Sequence, residues 1–363
     1  MRRLFRETRA QFQITGVLVI AIGVVAVLSI PTRAQAPSRT ASAVTTSTPF
    51  TTPKTPWGDP DISGTWSSDD LRNVPVQRPT ELGDRAQLSD EEYAKRLAAN
   101  DEARNRELNR VGAFRNDVGT RTFRQTSLVV EPADGRLPPL TPETQREVER
   151  RQQQRSNPPN SWTDRSLYDR CITRGVFGSV LPVIYGNGNF IFQAPGVVSI
   201  TYEMVHDTRI IPLDGRPHIG SGIKQYMGDA RGHFEGDTLV VETTNFLGNT
   251  TGVGGNGGGP PTSDVLHVIE RFTRVAPDVL NYEVSITDAK TFTKPVKLLL
   301  PLTTQPGYQV LPYECHEGNH ALHNILSAAR AEDRAVEEAV KKGLPRPKPS
   351  TWLGGVAPGA PDQ

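Results

Sequence analysis

The chain has 363 residues and is almost neutral, with 41 Lys and Arg against 40 Asp and Glu. That balance argues against nucleic acid or any other partner held by bulk charge, because such partners need a strongly biased face. The 32 Gly and 30 Pro supply many turns but fall short of the bias of a disordered protein.

The N-terminus carries Arg2, Arg3, Arg6 and Arg9, with only Glu7 against them. Ile14 to Ile30 is then free of charge and built mostly from Val, Ile, Leu, Ala and Gly. As a helix it rises about 25 Å, at the short end of a bilayer span. Ala34-Gln35-Ala36 offers the small-x-small pattern of a signal peptidase site, but Pro37 obstructs a cut there. A cut after Ala34 and a retained single-span anchor both stay open. Arg2-Arg3-Leu4-Phe5 is similar to the twin-arginine export signal. The expectation is an exported, periplasmic protein that touches membrane only through residues 1–36. Residues 37–55 are rich in Ser, Thr, Pro and Ala and read as a flexible spacer.

One β-rich domain is expected over residues 56–345, with a disordered tail over 346–363. Leu88 to Leu108 is helical by composition, with Ser89 as N-cap and Glu92 three residues on. Pro142 to Arg155 is a second, strongly polar helix. Strands follow. Phe190 to Phe192 and Val197 to Val205 come first, then a turn at Leu213 to Arg216. His233 to Thr243 is a hairpin with Glu235-Gly236-Asp237 at its tip. Leu266 to Val275 is a strand. Leu280, Tyr282, Val284 and Ile286 alternate with polar residues, the mark of an antiparallel strand with one wet face. Val296 to Leu302 and Tyr308 to Tyr313 complete the run. Ala321 to Lys342 is a helix stopped by Gly343 and Pro345. Tight turns and no βαβ rhythm predict a mainly β (α+β) fold. It is an antiparallel barrel with an early helical insertion and a C-terminal helix.

Two resemblances bear on this. Gly64-Thr65-Trp66 resembles the Gly-x-Trp motif of lipocalin-like barrels, in which a terminal helix also follows the strands. The second covers nearly all of the exported part. Its motifs are Trp57-Gly58-Asp59-Pro60-Asp61, Tyr168 to Gly175, Glu235 to Thr243 and Cys315-His316-Glu317-Gly318-Asn319. They resemble a large group of uncharacterised exported bacterial proteins. That resemblance implies a family and a compartment and no reaction.

Candidate chemistry clusters around the two cysteines, Cys171 and Cys315. In an oxidising compartment an even pair most simply forms one disulfide; two buried free thiols are the alternative. A bond places the two Cα atoms within about 7 Å. It would bring Asp169 and Arg170 near His316 and Glu317. That group could run acid–base chemistry, with His316 or Glu317 as base and Arg170 steadying an anion. Glu203 and His206 are further candidates, although His206 has the opposite strand parity unless a bulge intervenes. Arg209, His218, Asp229 and Arg231 are candidate ligand contacts. The plainer role for such Arg and Asp residues is to hold loops onto a barrel.

His316-Glu317-Gly318-Asn319-His320 fits the zinc-binding H-E-x-x-H pattern, in which two His one helical turn apart share a metal. Gly318-Asn319 is poor helix material, so the competing reading is a cap on the C-terminal helix. No zinc site is favoured; His316 and His320 would hold one. Three functions therefore remain open. The first is a barrel that binds a small, largely apolar ligand. The second is a lyase, isomerase or hydrolase using the cluster near the cysteines. The third is a zinc-dependent hydrolase through His316, Glu317 and His320.

Overall fold

The computed structural model describes residues 50–111, 119–250, 252–254, 259–305 and 307–347. The hydrophobic segment expected at residues 14–30 and the tail beyond residue 347 lie outside them. Among the described residues no helix is long and apolar enough to cross a membrane.

Ten strands form one antiparallel sheet. They are β1 (Gly64–Ser67), β2 (Val129–Glu131), β3 (Gly188–Ala194), β4 (Val197–Tyr202) and β5 (Thr208–Pro212). The second half comprises β6 (Asp229–Glu235), β7 (Thr238–Thr244), β8 (His267–Ala276), β9 (Val279–Thr287) and β10 (Val296–Thr303). The order is β5-β4-β3-β1-β10-β9-β8-β7-β6, with β2 added to β10. The sheet thus consists of two meanders. The short strand β1 joins them, pairing β3 through Gly64↔Ile191 to Ser67↔Gly188 and meeting β10 at Ser67↔Thr303.

The sheet curls into a nearly closed barrel. Its end strands β5 and β6 meet without a ladder, and Gly232 on β6 makes the approach possible. A Cβ there would lie 2.8 Å from both Ile211 Cγ2 and Leu213 Cδ2. Alternation fills the interior. On β9 the residues Leu280, Tyr282, Val284 and Ile286 are all buried, while Asn281, Glu283 and Ser285 are half-buried. Trp66 on β1 is fully buried and donates its indole N–H to the Ile62 carbonyl at 2.9 Å. The expected hairpin tip is in place. β6 ends at Glu235, β7 begins at Thr238, and Gly236 takes the positive φ that so short a turn requires.

A charged pair lies inside the barrel. Arg209 on β5 donates to both carboxylate oxygens of Glu270 on β8, at 2.8 and 2.5 Å. Its other bonds reach the Tyr202 hydroxyl at 3.1 Å and Thr243 Oγ1 at 2.9 Å. The Tyr282 hydroxyl donates to Glu270 at 3.0 Å. Five elements of the wall are tied together by one bidentate pair and its hydroxyl partners.

The helical insertion lies between β1 and β3. α1 (Asp90–Val111) starts at the expected capping box: the Ser89 N–H donates to Glu92, and the Glu92 N–H donates to Ser89 Oγ. α2 (Pro142–Ser156) is capped by Thr141. α3 (Gly175–Val180) is a short, wholly buried helix that composition had not announced. α4 (Ala321–Lys341) closes the described chain and hydrogen-bonds back through Arg330 to the carbonyls of Pro159 and Asn160.

Three expectations need correction. Tyr308 to Tyr313 is not a strand. β10 already carries β9 on one edge and β1 and β2 on the other, so no free edge is left for it. The strand expected over Val197 to Val205 stops at Tyr202, where the chain turns. Ordered structure also begins ahead of residue 56, since Thr52 and Thr55 are buried and Lys54 bridges Pro60.

Candidate functional site

The two cysteines are bonded, with Cα atoms 5.7 Å apart at a sequence separation of 144. The bond fastens the segment after β10 to the turn that precedes α3. Around it gather the residues that the fold leaves for function.

On the α3 side, Asp169 closes its own turn. Its carboxylate accepts from the Ser166 N–H at 3.2 Å and from Ser166 Oγ at 2.9 Å. Arg170 stacks over the Trp162 ring at 4.5 Å. Thr173 Oγ1 donates to Asp207 at 2.5 Å and accepts from the Gly175 N–H at 2.9 Å. Burial pushes the Asp207 carboxyl above its ordinary value, against the hydrogen bonds from Thr173 and the Arg174 backbone.

The other side of the cluster comes from the β4–β5 turn. Val205 and His206 both have positive φ, which is uncommon for any residue but glycine and strained for a β-branched one. This left-handed pair does the work expected of a bulge. It lets Glu203 and His206 hold the same segment despite their opposite strand parity. Glu203 accepts from the Gly188 N–H at 3.0 Å, the Tyr308 hydroxyl and the Leu311 N–H at 3.3 Å. Gly188 is required there, since a Cβ would sit 2.7 Å from Glu203 Oε2. The His206 ring accepts from the Tyr313 N–H at 2.8 Å.

Between these walls stand Tyr168, Tyr185, Tyr313 and Arg174. The hydroxyls of Tyr168 and Tyr313 are 3.0 Å apart. Burial raises both phenols above their ordinary range, with Tyr185 adding to the rise, so they are neutral hydroxyls. Arg174, the residue before α3, is 5 % exposed. Its guanidinium lies over the Tyr168 ring at 5.1 Å and donates to the Met204 thioether at 2.7 Å. Burial holds its pKa below the ordinary value, and only tyrosines act on it in the opposite direction.

The stapled segment borders an open depression of about 330 Å³, lined by Pro312, Tyr313, Glu314, Cys315, Glu317, Gly318 and Asn319. His316 and His320 do not share a helix face. α4 begins only at Ala321, and Gly318 has φ +66°. The helical spacing that makes H-E-x-x-H a zinc motif is therefore missing. Asn319 instead stands just ahead of α4, whose N-cap position is His320, accepting from the Ala321 N–H at 2.9 Å and donating to the Cys315 carbonyl at 2.7 Å.

The remaining candidates separate into other places. Arg209 is the interior barrel residue described above. His218 and Arg231 both bond Asp229, at 2.9 and 2.8 Å. His218 also lies 3.7 Å from Glu242, which binds His267 at 2.8 Å. His233 pairs with Glu235 on the exposed hairpin. Among the described residues, neither His218 nor His233 hydrogen-bonds to the stapled segment. Among the described residues no three His, Cys, Asp or Glu side chains are grouped to hold a metal. The pattern around the cysteines does not single out Arg174 or its tyrosines. The available signal was an arginine directly before an uncharged run, Gly175 to Tyr185, too apolar to be surface.

No family model, curated protein or solved structure matches this chain.

Proposed function

We propose that this protein is an exported barrel that binds a small, largely apolar ligand beside the Cys171–Cys315 bond. The supporting observation is how the polar groups there are used. Glu203 takes three donors, Asp169 closes a turn, and the His206 ring nitrogen accepts from a backbone N–H. These candidate bases are engaged in holding segments together. What they frame is rings, a thioether and one cation: Tyr168, Tyr313, Met204 and Arg174. Aromatic surface with few, fixed polar groups is the lining of a binding site. Acid–base catalysis would fall instead to His316 or Glu317, and the group of rings, thioether and cation framed here includes neither.

Titration of the full chain with N-phenyl-1-naphthylamine, a neutral apolar fluorophore, tests this. Saturable one-site enhancement is expected, weakened about tenfold by Tyr313→Ala. Enhancement that never saturates, from protein that is folded, would rule the reading out.

A further inference from the structure

We infer that Arg174 is the counter-ion of the ligand, which is therefore an amphipathic carboxylate: an apolar body carrying one acidic group. The inference rests on the binding reading above and names the chemistry that the site selects.

A buried charge is costly unless it is paired or fully hydrogen-bonded. The other deeply buried arginines meet that condition. Arg209 has Glu270 and two hydroxyls. Arg78, 3 % exposed, donates to Thr126 Oγ1 and to the carbonyls of Gly83 and Ala133. Arg174 is as well enclosed and has no such set. Among the described residues no carboxylate pairs with it, and its side-chain hydrogen bond goes to a thioether sulfur, a weak acceptor. The nearby acids are committed elsewhere. Asp207 faces Thr173 and the Arg174 backbone, and Glu203 faces Gly188, Tyr308 and Leu311.

A guanidinium offers a planar fork of donors, and a carboxylate is the group that fits it bidentately. The adjoining Tyr168 and Tyr313 hydroxyls, 3.0 Å apart, and the Tyr185 hydroxyl bonded to both keep neutral phenols beside the guanidinium, so no phenolate competes with a ligand carboxylate for it. Tyr313 also lines the space beside the disulfide. The acidic group would sit at Arg174, with the apolar body against the tyrosine rings and Met204.

The test uses the full chain and two probes of equal shape, decanoate and decanamide, followed by isothermal titration at pH 7.5. Wild-type protein is expected to bind decanoate at least tenfold more tightly than decanamide. Arg174→Gln should abolish that preference by weakening decanoate binding at least tenfold, and Arg174→Lys should restore part of it. Equal binding of the two probes to wild type overturns the inference but leaves the binding reading standing. Binding of neither probe, by folded protein that also fails to saturate with the neutral fluorophore, overturns both. The wild-type comparison decides the matter even if Arg174→Gln does not fold.

Discussion

The contrast between Arg209 and Arg174 shows how one residue type takes opposite roles in one fold. Arg209 is spent: Glu270 neutralises it inside the barrel, and Tyr202, Thr243 and Tyr282 complete the network. Burial and the surrounding acid act on it in opposite directions, and the pairing wins, holding its pKa well above the ordinary value. Breaking such a pair from one side leaves a charge stranded in the interior. Arg209→Met should therefore lower the unfolding free energy in urea by about 3–5 kcal/mol. The double substitution R209M/E270L should recover most of that loss. If the double variant is no more stable than the single one, the ion pair is not what holds these walls together.

At the level of elements, closure of the sheet depends on a position without a side chain. β5 is short and leaves the barrel soon after Ile211, while β6 enters on the other side of the seam. Gly232 lets the two come together where no ladder joins them. Gly232→Val would press two methyls into Ile211 and Leu213, and overpacking of this kind costs about 1–3 kcal/mol. Thermal unfolding should show a lowered midpoint with the sheet content unchanged in far-ultraviolet circular dichroism. An unchanged midpoint would mean that the seam is loose. The β4–β5 turn is the complementary case, in which side chains accept strain. Val205 and His206 keep positive φ because Glu203, His206 and Asp207 are each gripped by other segments.

For the whole molecule, the disulfide carries the largest single consequence. It closes a loop of 144 residues, worth about 5 kcal/mol in the chain-entropy account. Besides the bond, the hydrogen bonds that hold the stapled segment include Glu203 with Tyr308 and Leu311, His206 with Tyr313, Tyr168 with Tyr313, and Asn319 with Cys171. Replacing both cysteines by serine should leave the barrel folded but loosen this segment. Limited chymotrypsin digestion should then cut after Tyr308 or Tyr313 at least tenfold faster than in the bonded protein. Equal cutting rates would show that the non-covalent contacts suffice. The same variant should lose affinity for both decanoate and decanamide, because the tyrosine wall moves with the segment.

The pieces whose signal is local can be read directly from neighbouring residues. The β9 alternation, the Ser89–Glu92 capping box, the Gly236 turn and the extent of α4 are written in neighbouring residues, because side-chain period, caps and backbone freedom act over one or two turns. The even cysteine pair pointed to the bond, and the bond located the candidate site. Only the tertiary structure decided what lies at that site. Tyr308 to Tyr313 has the composition of a strand, but both edges of β10 are occupied, a fact about distant partners. Arg170 and Arg174 are of one type, and both flank Cys171. One lies over the exposed Trp162, and the other is enclosed by Tyr168 and Met204, 30 residues further along the chain. Burial and pairing are set by segments far apart in sequence. They separate a residue that decorates the surface from one able to receive a ligand.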